Sequence, residues 1–197
     1  RSTDYASTWE EMAGCIGVYT FNSTGQKELY GVDDSEKILV VSYDHGVTWD
    51  EVIDLQVEID DIAFDHKKEK LYIVGSNRLF EYYPGDDDFE DITSDTPADQ
   101  FGNHLFTTVA VDPVEPEIIY VGSQGEPYQM DNSVIRSLDA GETWRILTRN
   151  TRYPNPEFGL DGGNMGGTSI RVNPHNRYLY VLTSCFGVWR IGPPTNK

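Results

Sequence analysis

Acidic side chains in or near the predicted loops are the residues of this chain best suited to chemistry. Hydrolysis of a glycosidic bond needs two carboxyl groups, about 5–5.5 Å apart for retention or about 6.5–9.5 Å apart for inversion. No spacing in the sequence selects a pair, and an ordinary surface acid remains the alternative for each candidate. The candidate catalytic residues are Asp61, Glu126, Asp131 and Asp161.

Aromatic and amide side chains accompany these acids in the long predicted loops. An aromatic ring can stack on the apolar face of a sugar, while carboxylates and amides bind its hydroxyl groups. An alternative is that the aromatic residues only fix the loops to the rest of the fold. The predicted ligand-binding residues are His104, Tyr128, Asp131, Tyr153, Phe158, Asp161 and Asn164.

Metal and nucleotide motifs are not recognisable. The four histidines are scattered and have no zinc spacing, and the glycines have no phosphate-loop spacing. Three consecutive aspartates, residues 86–88, offer oxygen ligands to a structural Ca²⁺. They lack the spacing of a calcium motif, which favours an exposed acidic turn. We therefore predict no metal and no cofactor, with a structural calcium ion as the alternative.

A repeated turn motif marks the elements that would position these residues. The pattern Ser-x-Asp-x-Gly-x-Thr-Trp occurs at residues 42–49 and 137–144, and residues 2–9 repeat it with Ala6 in place of glycine. Its aspartate can accept hydrogen bonds from nearby backbone N–H groups, and its glycine permits the positive φ of a tight reversal. Alternating apolar residues on both sides predict a β-hairpin. The motif residues are Ser2, Asp4, Thr8, Trp9, Ser42, Asp44, Gly46, Thr48, Trp49, Ser137, Asp139, Gly141, Thr143 and Trp144.

This motif resembles the Asp-box, or BNR, repeat of sialidase-like, xyloglucanase-like (glycoside hydrolase family 74) and sortilin-like β-propellers. The segments 111–113, 120–122 and 187–190 also look like strands of the xyloglucanase-like family. The resemblance implies an all-β propeller of four-stranded antiparallel blades, with the Asp-box in the turn between the third and fourth strands. We predict about four blades in one domain, 1–197, or in a section of a larger propeller. Their approximate limits are 15–54, 57–93, 104–148, and 167–191 plus 1–13.

The two ends of the chain supply complementary parts of one blade. The fourth blade has three predicted strands, and the N-terminal motif is followed by a predicted strand that could close it. Such closure would make a ring and would bring Cys15 and Cys185 to one seam, where we predict a disulfide. The alternative to the disulfide is two free thiols. The alternative to closure is that the remaining blades of a larger propeller, or a second copy of the chain, complete the ring.

Charge and loop length indicate the class of ligand. A formal net charge of −18 repels nucleic acid, and the chain has no apolar run long enough to span a membrane. The long predicted connections lie on the face opposite the Asp-box turns, where binding is expected.

We therefore predict an extracellular glycan-binding or catalytically incomplete module of a polysaccharide-degrading protein. An active glycoside hydrolase and a sortilin-like protein-interaction propeller are the alternatives, so the partner is a carbohydrate or another protein. The resemblance to sialidases also implies three arginines that bind a carboxylate, and this sequence does not reveal them.

Overall fold

The computed structural model describes residues 2, 4–11, 14–15, 17–22, 28–96, 105–124, 133–147, 169–183 and 187–194. These residues form four antiparallel sheets, and none of them belongs to an α-helix. Within this part of the chain, no helix has the length and apolar character to cross a membrane.

Each sheet is built from strands that follow one another in sequence. The first contains β1 (Gly17–Phe21), β2 (Leu29–Val32), β3 (Ile38–Ser42) and β4 (Asp50–Asp54). The second contains β5 (Asp61–Asp65), β6 (Lys70–Gly75), β7 (Arg78–Tyr82) and β8 (Glu90–Asp91). The third contains β9 (Leu105–Val111), β10 (Ile119–Gln124), β11 (Ser133–Ser137) and β12 (Arg145–Ile146). The fourth contains β13 (Ser169–Val172), β14 (Leu179–Thr183) and β15 (Gly187–Ile191).

The up-and-down order of the strands places the turns and connections on two opposite faces of the fold. The turns after the first and third strands of a sheet lie at one edge, which we call the turn face. The turns after the second strand, and the connections to the next sheet, lie at the opposite edge, which we call the loop face. The first strands β1, β5 and β9 pack in succession, and β9 packs on β13, so these inner strands surround a common axis.

The second sheet is packed between the first and third sheets, which explains the continuous apolar sequence of its strand β6. All six residues of β6 are buried, because Leu71 and Ile73 face the first sheet while Tyr72 and Val74 face the third. A strand that is covered on both sides loses the polar alternation of a half-exposed strand. Burying each such side chain contributes roughly 1.5–3 kcal/mol before the entropy cost of ordering the chain.

The fourth sheet is covered on one side. Leu179 and Val181 pack against the third sheet, whereas Leu182 and Val188, which are paired across β14 and β15, are 46% and 62% exposed. Its outward face therefore presents apolar surface.

The repeated motif forms the same hydrogen-bonded turn in all three copies. In the second copy, Ser42 Oγ donates to Asp44 Oδ1 over 2.9 Å, and it accepts from Gly46 N over 2.7 Å. Asp44 in turn accepts from Thr48 N over 2.9 Å and from Thr48 Oγ1 over 2.8 Å. Equivalent bonds join the corresponding serine, aspartate and threonine in the first and third copies. We call these elements the Ser-Asp turns.

Backbone geometry explains the glycine of the motif. Gly46 and Gly141 have φ values of 84° and 101°, a region that L side chains rarely adopt. Ala6 adopts φ 66° at the same position, and the first turn still keeps its hydrogen bonds. Trp144 donates its indole N–H to Gly141 O over 2.9 Å, so the indole packs over its own turn.

Acid is expected to weaken the Ser-Asp turns. Hydrogen bonds from the backbone N–H and hydroxyl of Thr48 lower the pKa of Asp44 from 3.8 to about 2. A depressed carboxyl pKa stabilises the fold above the unfolded value of 3.8, and this contribution is lost as the pH falls towards 2. We expect Asp44→Asn to flatten the pH dependence of the urea midpoint between about pH 4 and pH 2. Asp34→Asn, at an exposed turn position, is the matched control, and equal slopes for the two variants would contradict the prediction.

The predicted closing strand does not appear among the described residues of the N-terminal segment. The fourth sheet has three strands, and residues 4–11 contain no strand. Trp9 is 73% exposed, whereas Trp49 and Trp144 are partly buried. Further along the chain, Gly14 lies beside Trp49 and Cys15 Sγ lies beside Gly31, both in the first sheet or its turns.

The predicted Cys15–Cys185 disulfide is likewise absent. Cys15 is a free thiol, and its Sγ donates to Gly17 O over 3.0 Å at the beginning of β1. This contact holds Cys15 against the first sheet, where its thiol is hydrogen-bonded and not oxidised. Burial raises the pKa of this thiol, which keeps it protonated. Cys185 lies outside the described residues.

Candidate functional site

A polar cavity of about 540 Å³ opens on the loop face of the second sheet. The β6–β7 turn forms one wall, and the chain that follows β8 forms the other. All of the described side chains that line the cavity carry a hydrogen-bonding group: Ser76, Asn77, Arg78, Asp91, Thr93 and Ser94.

The turn that forms the first wall has a fixed geometry. Ser76 and Asn77 have φ values of 49° and 64°, the positive pair typical of a two-residue type I′ hairpin turn. Thr93 fixes the opposite wall, because its Oγ1 accepts from Leu79 N over 2.9 Å and donates to Asp91 Oδ1. Both walls are therefore held by the backbone of the sheet.

Hydrogen-bonding capacity remains unused in this cavity. Asn77 Oδ1 is buried and has no hydrogen-bond partner among the described residues. Arg78 Nη1 lies 3.6 Å from Asp91 Oδ2, and the two side chains are 55% and 40% exposed. An exposed pair at this distance contributes little to stability, so Arg78 and Asp91 Oδ2 can exchange this contact for bonds to a polar ligand, while Asp91 Oδ1 stays bonded to Thr93.

An acid of raised pKa borders the same turn. Asp60 is exposed at the surface, and partial desolvation by its neighbours is the main cause of its raised pKa; the charges of Glu58 and Asp61 add to it, and a hydrogen bond from the backbone N–H of Ser76 opposes it. A carboxyl group that retains its proton at higher pH is suited to act as a general acid.

Asp61, one of the predicted catalytic residues, links three inner strands. Its Oδ2 accepts from Thr108 Oγ1 over 2.6 Å, from Val109 N over 3.2 Å and from Arg171 Nη1 over 3.0 Å. Its side chain is 5% exposed. These contacts favour a structural role, because both carboxylate oxygens already accept hydrogen bonds within the fold.

The other predicted site residues lie outside the described part of the chain. They stay predictions, as does any catalytic pair that one of them would form with Asp61. They are Glu126, Asp131 and Asp161 among the catalytic candidates, and His104, Tyr128, Tyr153, Phe158 and Asn164 among the ligand-binding ones.

Sequence reasoning missed the polar cavity and the partners of Asp61. Asp61 and Thr108 occupy equivalent positions in the inner strands of consecutive sheets, so aligning the repeats would have revealed two polar residues facing one axis. The sequence gives a weaker indication of Asn77 as a site residue, because it shows only a polar turn residue between two apolar strands.

Metal binding has no support in the described residues. They contain no group of three or more histidine, cysteine, aspartate or glutamate side chains placed to hold an ion. Asp86, Asp87 and Asp88 lie exposed in the β7–β8 turn.

Comparison with known proteins identifies structures that share this arrangement of sheets. No protein-family model matches the chain. A curated xyloglucanase from Paenibacillus sp. is 29% identical over 120 residues, which cover 56% of this chain and 11% of the relative. The crystal structure of a GH74 xyloglucanase from Xanthomonas campestris superposes with a TM-score of 0.62 at 18% identity, over 83% of this chain and 25% of that one. The fold is a β-propeller.

A chain of the nidogen–laminin complex has the same architecture at 15% identity. The TM-score is 0.58, over 87% of this chain and 55% of that one. Identities this low show the fold alone. The present chain spans about a tenth of the curated relative and between a quarter and just over half of these solved chains. The predicted all-β propeller architecture is confirmed by these similarities and by the four antiparallel sheets.

Proposed function

We propose that this chain is a carbohydrate-binding module of an extracellular polysaccharide-degrading protein, and that its Ser-Asp turns are Asp-boxes. Two features support the proposal: the matched relative is named a xyloglucanase, and the serine, aspartate and threonine of each turn make the same bonds in three copies. The ligand docks on the loop face, opposite the turns that follow β3 and β11. Further blades of a larger propeller, or a second copy, cover the apolar outward face of the fourth sheet.

The polar cavity on the loop face is the observation that carries this proposal. A sugar presents several hydroxyl groups, each of which can donate one hydrogen bond and accept others. Asn77 Oδ1 lacks a donor among the described residues, and Arg78 and Asp91 offer donors and acceptors on the same cavity. Asn77 Oδ1 is buried, so a hydroxyl donor reaches it only after the side chain turns towards the cavity; satisfying this acceptor then removes a desolvation penalty of about 1–3 kcal/mol.

Calorimetry with a xyloglucan oligosaccharide tests the proposal. Asn77→Gly removes the amide and retains a residue that tolerates φ 64°, so the turn is preserved. We expect Asn77→Gly and Arg78→Ala each to weaken binding about tenfold.

Arg145→Ala is the matched control, because Arg145 is an exposed arginine on β12 away from the cavity. The proposal fails if the oligosaccharide does not bind, or if Asn77→Gly and Arg78→Ala bind it as tightly as the control does. Thermal unfolding of each variant confirms that the fold is retained.

An active glycoside hydrolase is the second candidate, and the raised pKa of Asp60 favours it. In this candidate Asp60 supplies the proton, and one of Glu126, Asp131 or Asp161 is its partner. Release of reducing sugar from xyloglucan by the wild type, lost in both Asp60→Asn and Asp161→Asn, would support hydrolysis with Asp161 as the partner. Binding without release supports the non-catalytic module.

A protein-interaction propeller is the third candidate, because one structural neighbour is a chain of a protein–protein complex. The loop face would then bind a polypeptide instead of a glycan. Capture of a defined partner that excess oligosaccharide does not displace would favour this candidate over the first.

A further inference from the structure

A second cavity lies on the propeller axis between the four inner strands. Its volume is about 440 Å³, within the size range of small-molecule sites. It extends along the second halves of these strands and reaches the β5–β6, β9–β10 and β13–β14 turns on the turn face. It is therefore separate from the polar cavity of the loop face.

The walls of this axial cavity are mostly apolar. Every inner strand contributes aliphatic or aromatic side chains, among them Ile62, Val109, Val111 and Val172. These groups offer no hydrogen bonds, so a polyhydroxylated sugar would lose its hydration without compensation. The cavity thus favours a ligand with an apolar body.

Aromatic rings add a shape preference. Phe64 and His66 line the cavity and meet edge to face, with ring centroids 5.1 Å apart. Tyr19 and Phe21 of β1 also line the cavity, and Phe21 is 58% exposed. Planar rings pack well against such a set, because aromatic pairs gain energy beyond simple burial.

Arg171 is the cationic group of this lining, and its side chain is 58% exposed. Its Nη1 donates to Asp61 Oδ2 over 3.0 Å and to Ile170 O over 2.6 Å, while Nη2 lies a longer 3.5 Å from Asp61 Oδ1. A guanidinium has five N–H donors, so these contacts leave donors for a ligand.

Asp61 pairs with this arginine without using all of its donors. The carboxylate also accepts hydrogen bonds from Ile62 N, Thr108 Oγ1 and Val109 N, so it keeps other partners when Arg171 binds a ligand. A guanidinium beside apolar walls is suited to an anion that brings its own apolar body, because the apolar body displaces water from the walls while the anion accepts charge-assisted hydrogen bonds.

We propose that the axial cavity binds a small aromatic carboxylic acid, with the carboxylate on Arg171 and the ring among the aromatic side chains. This second ligand site goes beyond the glycan binding of the loop face. The two sites lie on different surfaces, so each can be tested while the other is intact.

Titration calorimetry with 4-hydroxycinnamate and its methyl ester tests the assignment. The ester retains the ring and removes the negative charge. We expect the acid to bind about tenfold more tightly than the ester, and Arg171→Gln to abolish that preference. The matched Arg145→Gln should retain it. Equal affinity for acid and ester in the wild type would overturn the proposal.

Blocking the cavity supplies a variant that leaves Arg171 in place. Thr20 lines the cavity on β1 and lies outside the apolar cores, so Thr20→Trp fills the space and retains the Arg171–Asp61 pair. We expect this variant to lose both the acid and the ester while it still binds the oligosaccharide, and Asn77→Gly to show the opposite pattern. Unchanged binding of 4-hydroxycinnamate to folded Thr20→Trp would overturn the proposal.

Discussion

Arg177→Ala is expected to lower the free energy of unfolding by about 3–5 kcal/mol. The side chain of Asp112 is fully buried, and Arg177 Nε donates to its Oδ2 over 2.9 Å. Removing the arginine leaves that charge in a low-dielectric site with only two backbone donors among the described residues, Val114 N and Glu115 N. Breaking one side of a buried ion pair costs far more than the pair contributes to stability, since the remaining charge stays desolvated.

A double variant separates this effect from simple loss of packing. In Arg177→Ala/Asp112→Asn, the new amide oxygen could still accept from Val114 N, and the side chain carries no charge. We therefore expect the double variant to be more stable than Arg177→Ala alone, as measured by urea unfolding at neutral pH. Arg145→Ala, at an exposed position, should change stability by less than about 0.5 kcal/mol. A double variant no more stable than Arg177→Ala would contradict the buried-charge explanation.

The ion pair between Arg177 and Asp112 shows how neighbouring sheets are joined on the turn face. Asp112 follows β9 and Arg177 precedes β14, so the pair links the third sheet to the fourth. Lys67 and Glu117 link the second sheet to the third in the same way, but their side chains are 63% and 32% exposed. An exposed pair is worth roughly 0–1 kcal/mol, so the buried pair dominates this set of contacts.

The sequence predicted the fold because its turn chemistry is local. The spacing of Ser42, Asp44 and Thr48 specifies hydrogen bonds within one hairpin, and the structure contains those bonds at β3–β4 and again at β11–β12. Apolar runs such as β6 then predicted strands buried on both sides. Local rules of this kind need no knowledge of the neighbouring sheet.

The position of the N-terminal segment could not be predicted in this way. The repeat pattern equates Trp9 with Trp49 and so predicts a strand beside β15, but a repeat does not specify which sheet an end segment contacts. The structure places Cys15 against Gly31, where the absence of a Cβ leaves room for the sulfur. That contact depends on three-dimensional packing, and Cys15 is a free thiol where the sequence predicted a disulfide.

The candidate sites also could not be predicted from the sequence, because they depend on contacts between residues that are far apart in the chain. Asp61 meets Thr108 across 47 residues and Arg171 across 110 residues, and no spacing rule connects such distant positions. Cavities arise between elements, and their lining is decided by how the sheets pack. The long loops could be recognised as candidate binding segments from length alone, but the described cavities are lined mainly by strands and short turns.

Gly75→Ala is expected to destabilise the protein by about 3 kcal/mol, at the upper end of the cost of overpacking. A Cβ at this position would lie 2.0 Å from Glu58 O, 2.9 Å from Glu58 C and 3.1 Å from Ile59 Cα. All three are backbone atoms, so no side-chain rotation relieves the clash. Residues 58–59 must move away from β6. This movement strains the hydrogen bond from Asp60 N to Val74 O and displaces the buried Ile59 from the apolar core between the first and second sheets.

Gly192→Ala is the control for this prediction, because the nearest atom to its added Cβ is a Tyr178 ring carbon at an ordinary 3.8 Å. We expect its urea midpoint to stay close to that of the wild type, while Gly75→Ala unfolds at a clearly lower concentration with a similar slope. If the two glycine variants unfolded together, the passage of residues 58–59 over β6 would not be a close-packed contact. A large loss for Gly75→Ala alone would show that this strand ends in glycine to admit the connection between the first and second sheets.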